Sequence, residues 1–190
     1  MSEIIVITIA SFLTIPLPVL PLQILFLNLV TDLFPALALG VGDGDIRVME
    51  RAVRSKSEPI IERRRWFEIF LYASIMALSV LGALFIATEA LHLESESAVT
   101  ISFLTLAFTQ LWHVFNMRSP RSRLSNEVTK NPFVWGALAL CTVLLLIAVY
   151  TPPLATVLKL VPPGGAGWLV AVGMSLIPLL AGVVRKFRRS

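Results

Sequence analysis

Five long apolar stretches govern what this chain can fold into: Leu22–Val41, Ile69–Thr88, Ser97–Met117, Asn131–Leu158 and Leu160–Val184. Each meets the roughly 20 residues that a helix needs to cross a hydrocarbon core. Only Asp32, in the first of them, is an Asp, Glu, Lys or Arg. Backbone groups inside a bilayer must pair within their own segment, so stretches of this kind are expected to be helices. Composition agrees: 56% of residues are hydrophobic and 15% charged, against about 25% charged in a soluble domain. Ahead of these stretches, Ile4–Ile15 would rise only about 18 Å as a helix, half a span, and Pro16, Pro18 and Pro21 make a hairpin turn after it. The expected fold is an all-α polytopic membrane bundle, a partial helix plus five transmembrane helices. The chain divides into a partial helix and proline-rich hairpin over 1–21, a broken helix over 22–41, a basic connection over 42–65 and a four-helix bundle over 66–190. By this reading the chain begins in mid-membrane. Met1-Ser2-Glu3 has no basic n-region, so no cleaved signal peptide is expected.

The basic residues set the orientation. Arg47, Arg51, Arg54, Lys56, Arg63, Arg64 and Arg65 lie in the Gly42–Arg65 connection. Arg118, Arg121, Arg123 and Lys130 lie in the next connection of the same parity, and Arg185, Lys186, Arg188 and Arg189 in the tail. If the five spans alternate, all 16 lysines and arginines except Lys159 share one face. That face is then cytoplasmic, the C-terminus with it. The other face holds Glu89, Glu94 and Glu96. The net charge of +4 is thereby explained by topology and lipid headgroups, without nucleic acid. The expected location is a plasma or inner membrane, and the lipid bilayer is the first partner. One cysteine, Cys141, allows no intrachain disulfide and no cysteine-based zinc site.

Acidic groups inside a membrane cost about 2.5–3.5 kcal/mol on insertion scales and mark function by default. Two qualify, Asp32 and, near the chain's start, Glu3. Asn28, Thr31 and Asp32 stand at i, i+3 and i+4, so an α-helix collects an amide oxygen, a hydroxyl and a carboxylate on one face. Pro35 has no N–H for the carbonyl of Thr31, which is therefore expected to stand free beside Asp32. Oxygen ligands of this kind suit Ca²⁺, Mg²⁺ or Mn²⁺, and a half-broken membrane helix is how transporters expose backbone to an ion. The bland alternative is a kinked helix whose polar residues bond its neighbours. In the third full span Gln110 could offer a carbonyl oxygen to this cluster or act as interhelical glue, and His113 could carry a proton or simply be hydrogen-bonded. Gly42-Asp43-Gly44-Asp45 lacks the later acids of a calcium loop, and Gly164-Gly165-Ala166-Gly167 lacks the Lys-Ser/Thr of a phosphate loop. Trp66, Trp135 and Trp168 read as interfacial anchors and Trp112 as a packing residue. Gly82, Gly136, Gly173 and Gly182 suit close helix contacts.

Leu22-Gln23-Ile24-Leu25-Phe26-Leu27-Asn28-Leu29-Val30-Thr31-Asp32, followed by Pro35-Ala36-Leu37-Ala38-Leu39-Gly40, closely resembles the sixth membrane helix of calcium-type P-type cation ATPases. Met49-Glu50-Arg51, Arg54-Ser55 and Glu58-Pro59-Ile60 match the cytoplasmic loop that follows in that family. Ala52-Val53 replaces a proline pair often seen there. The resemblance runs from the middle of the fifth helix through the tenth. It is tight to about Ile60 and topological beyond Arg65, apart from Asn116-Met117-Arg118-Ser119. It implies that Asn28, Thr31 and Asp32 are ion ligands and that Glu3 is the fifth-helix carboxylate. Gln110 falls where two-site calcium pumps carry a glutamate and resembles single-site, secretory-pathway-like and many bacterial members. A second ion site is thereby left open, as is the choice between Ca²⁺ and Mn²⁺. The family's Asp-Lys-Thr-Gly-Thr phosphorylation motif does not occur in the sequence, nor do nucleotide and actuator domains or the first four helices. The expectation is a C-terminal fragment of an ATP-driven cation translocase, inactive as a pump by itself. Mg²⁺ and ATP serve only the intact pump, and a separately encoded N-terminal part is a possible partner. Two other classes stand beside it. One is a secondary transporter or channel subunit using Asp32 and His113; the other is a non-catalytic scaffold paired with a pump.

Overall fold

The computed structural model describes residues 1–13, 15–41, 63–116 and 131–187. The Gly42-Asp43-Gly44-Asp45 turn, the loop motifs from Met49 to Ile60, and Arg118 to Lys130 fall outside the described residues, as do Arg188 and Arg189. The described elements are helical: α1 Ser2–Phe12, α2 Pro21–Val41, α3 Arg63–Phe85, α4 Ser95–His113, α5 Pro132–Tyr150, α6 Pro152–Leu158, α7 Gly165–Ser175 and α8 Ile177–Phe187. A π-helical turn, Ile86–Ala90, prolongs α3.

Proline and asparagine place several of the starts. Pro21 opens α2, where its missing N–H is one that no helix could use. Asn131 caps α5, its side-chain oxygen accepting from the Phe133 N–H at 2.9 Å, the usual service of an N-cap amide. Its Nδ2 donates to the Ala38 carbonyl at 3.1 Å, so the same residue also closes an open carbonyl in the last turn of α2. The apolar stretch from Asn131 to Leu158 is two helices, divided at Pro152-Pro153. Thr151 is extended ahead of Pro152, because the residue before a proline is pushed out of the helical region. Lys159 then ends α6 in a left-handed conformation with φ 52°. Leu160–Val184 likewise begins as coil, with α7 starting at Gly165.

Helix α4 is the centre of the bundle, packed by α3, α7, α8 and the middle of α2. Every residue from Ala98 to Thr109 is buried, which a helix in contact with lipid cannot achieve. Four described helices are long and apolar enough to cross a membrane: Pro21–Val41, Arg65–Ala90, Pro132–Tyr150 and the α7–α8 pair over Gly165–Arg185. Helix α4 is not among them, and its position supplies the reason. A helix surrounded by protein can hold hydroxyls. Thr100, Ser102 and Thr105 donate to carbonyls four residues back at 2.9, 3.0 and 2.7 Å, which satisfies them in place. The outer helices show the opposite pattern, with Leu78, Phe85, Leu169, Leu180 and Val184 on the surface. The chain is an all-α, multi-pass integral membrane bundle.

Two of the four glycines expected at close contacts are there. A methyl on Gly82 would stand 2.6 Å from the Met174 Cε, and one on Gly182 would overlap the Asn116 amide, whereas Gly136 and Gly173 face open space. The Asn116 Nδ2 donates to the Pro178 carbonyl at 3.1 Å, pinning the end of α4 to α8. Nearby, Arg185 reaches Glu68 at 3.3 Å and lies 5.8 Å over the Tyr72 ring. The end of α8 therefore sits beside the start of α3, and Arg63, Arg65 and Arg185 gather at one end of the bundle. Trp112 packs as expected, stacked on Phe108 with its indole N–H on the Ser175 hydroxyl.

Candidate functional site

The centre of α2 departs from α-helical pitch. Asn28–Leu33 is a π-helix, a rare form that recurs at functional sites. Two local features favour it. The Thr31 hydroxyl approaches the Leu27 carbonyl at 2.9 Å and competes for the acceptor that the α-helical ladder would use. Pro35 withdraws an N–H just beyond. The wider turn also changes which carbonyl faces the proline. At a four-residue pitch it is Thr31's, as the sequence suggested; at the five-residue pitch of this segment it is Val30's. That carbonyl accepts a bond from the Cys141 thiol of α5 at 3.0 Å.

The three oxygen-bearing residues of this turn do not share one environment. Thr31 is buried, 4% exposed, and faces α4, where its hydroxyl lies 2.6 Å from the Gln110 Oε1. Asn28 and Asp32 are exposed. The expectation of one face holding all three holds for the pair four residues apart and fails for Thr31, because the π turn rotates it inward.

Gln110 brings the rest together. Its Nε2 donates to the Glu3 Oε1 of α1 at 2.9 Å, while its Oε1 meets Thr31. The amide presents its NH₂ to the Glu3 carboxyl oxygen and its carbonyl to the Thr31 hydroxyl, so a donor meets an acceptor at both ends. A chain of polar groups, Glu3–Gln110–Thr31, thus joins α1, α4 and α2 inside the bundle. Three α4 residues on, His113 packs against Tyr72 with ring centroids 5.1 Å apart. Its Nδ1 and the Thr109 hydroxyl are buried without a hydrogen-bond partner among the described residues. No group of three or more His, Cys, Asp and Glu that could hold a metal occurs among the described residues. The oxygens that converge are one carboxylate, one amide and one hydroxyl, with a second amide and carboxylate on the adjoining outer surface.

Sequence reasoning passed over two residues that hold α2 in place. Gln23 is fully buried. Its Oε1 accepts from the Leu20 N–H at 2.9 Å and its Nε2 donates to the Leu158 carbonyl at 2.9 Å, tying the start of α2 to the end of α6. A lone amide in an apolar stretch was the available signal. For Cys141 the chain offers no such signal, since its partner is a backbone atom 111 residues away.

The family described as Cation transporting ATPase, C-terminus, matches residues 16–188. The chain is 36% identical over 183 residues to a calcium-transporting ATPase of Bacillus subtilis (strain 168), an alignment covering 95% of this chain and 21% of that protein. It is 30% identical over 203 residues to calcium-transporting ATPase 1 of Bacillus cereus, covering 99% and 23%. To calcium-transporting ATPase 1 of Lactococcus lactis it is 28% identical over 172 residues, covering 89% and 19%. The chain spans about a fifth of the length of these relatives. With a multi-pass helical bundle and a family match over nearly its whole length, the chain belongs to the C-terminal membrane region of the cation-transporting ATPases.

Proposed function

We propose that this chain supplies cation ligands to an ATP-driven calcium-type pump, with Glu3, Asn28, Thr31, Asp32 and Gln110 contributing oxygens. The observation that carries the reading is the exposed Asp32–Asn28 pair on a π turn whose inner side meets the Glu3–Gln110–Thr31 chain. An aspartate in contact with lipid at this depth costs several kcal/mol. Covered by further helices and a cation, the same side chain becomes a ligand. A hard cation takes six to eight oxygens at about 2.3–2.6 Å when it is Ca²⁺; with Asn28 and Asp32 exposed and Thr31 turned inward, these five side chains do not close one shell, and the remaining oxygens come from the helices that cover the exposed face. Those helices, with the phosphorylation and nucleotide domains, belong to the rest of the pump, on the same polypeptide or a separately encoded one. The transported ion is Ca²⁺ or Mn²⁺, and the chain pumps nothing by itself. The basic end faces the cytoplasm, and the membrane is a plasma or inner membrane.

The test is made on a pump polypeptide containing this chain. Asp32→Ala abolishes cation-stimulated phosphorylation while the protein still inserts, and in the isolated chain in detergent Ca²⁺ or Mn²⁺ raises the unfolding midpoint in the wild type but not in Asp32→Asn. Normal cation dependence of phosphorylation in Asp32→Ala would overturn the assignment.

A further inference from the structure

Helix α5 lies outside the ligand set, yet one of its side chains reaches into the π turn. Cys141 is fully buried, and its Sγ lies 3.0 Å from the Val30 carbonyl, in the middle of Asn28–Leu33. Counting along the backbone shows what this contact does. At α-helical pitch the donor opposite the Val30 carbonyl is the Phe34 N–H, and the carbonyl that loses its donor to Pro35 is Thr31's. At π pitch the donor opposite Thr31 becomes the Ala36 N–H, and the carbonyl facing Pro35 becomes Val30's. Changing pitch therefore exchanges which carbonyl lacks a backbone donor. A buried carbonyl without a donor is unfavourable. A donor fixed at Val30 removes that cost in the π state only, where the carbonyl is otherwise open.

We propose that the Cys141 thiol is a positioning group for the cation site: by bonding the Val30 carbonyl it holds Asn28–Leu33 at π pitch, and so sets where Asn28, Thr31 and Asp32 stand. The pitch decides the split seen here, with Thr31 turned inward to Gln110 and the Asn28–Asp32 pair outward. Cys141 touches no ligand oxygen; it acts through the backbone, as residues outside the coordination sphere do when they orient ligands. The proposal rests on the cation-site reading above for its functional consequence, though not for the hydrogen bond itself.

The chain has one cysteine, so its S–H stretching band reports on this residue alone. The experiment combines that band, an isotope-edited amide I band of a carbonyl-labelled Val30, and Ca²⁺ titration of the unfolding midpoint of the full chain in detergent. Wild type, Cys141→Ser and Cys141→Val are compared. Serine keeps a donor; valine fills similar space and removes it. The expected result is an S–H band shifted to the hydrogen-bonded side and a Val30 band that moves in Cys141→Val. In that variant the Ca²⁺ concentration needed for half the stabilisation rises several-fold, the scale of one weak hydrogen bond. Cys141→Ser restores both readouts towards wild type. A free-thiol band in the wild type overturns the proposal. So does a Cys141→Val chain whose Val30 band and Ca²⁺ midpoint match wild type, or a serine variant no better than valine. A wild-type chain that ignores Ca²⁺ while both bands behave as expected overturns the cation reading instead and leaves the pitch-holding role standing.

Discussion

The Gln110 amide joins three helices at the site, and its removal can be worked through in free-energy terms. Gln110→Leu keeps the side chain's bulk and deletes both bonds, to Glu3 at 2.9 Å and to Thr31 at 2.6 Å. In water, a hydrogen bond to a charged partner contributes about 1.5–3 kcal/mol and a neutral one about 0.5–1.5. Within membranes the measured average is nearer 0.6 kcal/mol, with a maximum of about 1.7. Thr31 retains the Leu27 carbonyl as an acceptor at 2.9 Å, so its loss falls at the low end. Glu3 loses its interhelical donor and falls at the high end. The expected total is about 1–2 kcal/mol, read as a lower midpoint in reversible denaturation of the full chain in mixed micelles. The sharper measurement is a double-mutant cycle of Gln110→Leu with Glu3→Gln and with Thr31→Val. Coupling should be about 1 kcal/mol or more for the Glu3 pair and smaller for the Thr31 pair. Coupling near zero in the Glu3 cycle would show that α1 and α4 are not joined at this point. The convergence of Glu3 with the α2 turn would then fail with it.

Other outcomes follow from the same contacts. Gln23→Leu strands the Leu158 carbonyl and the Leu20 N–H and should destabilise the chain by about 1–3 kcal/mol; an unchanged unfolding midpoint would contradict the buried bonding. Gly182→Ala drives a methyl into the Asn116 amide, whose position is held by the Pro178 carbonyl, and should cost about 1–3 kcal/mol, with Asn116→Ala relieving much of it. Gly82→Ala meets only the mobile end of Met174 and should cost less than Gly182→Ala in the same denaturation assay; the reverse order would refute this reading of the packing.

The site was partly visible in the residues. An aspartate in an apolar stretch, an asparagine four residues before it and a proline three residues after it announced a broken helix, because lipid makes the two polar groups expensive and the proline removes a helix N–H. The form of the break was not visible. Local propensity does not separate a kinked α-helix from a π turn when the difference lies in where the Thr31 hydroxyl and the Val30 carbonyl find partners. Gln110 was an even choice between ligand and glue; in the structure it bonds Glu3 and Thr31 at once.

What the amino-acid order determined alone is the all-helical membrane architecture, since twenty-residue apolar stretches leave the backbone no other way to satisfy itself in lipid. The family resemblance, too, came from local order, because its motif is contiguous. Tertiary structure decided the rest. It put α4 at the centre, where burial by protein rather than lipid lets it carry hydroxyls. It also turned Thr31 inward and left Asp32 outside, and it delivered the Cys141 thiol to a carbonyl 111 residues away. Contacts of that kind depend on how helices distant in sequence come to lie together, and no periodicity within a single helix encodes them.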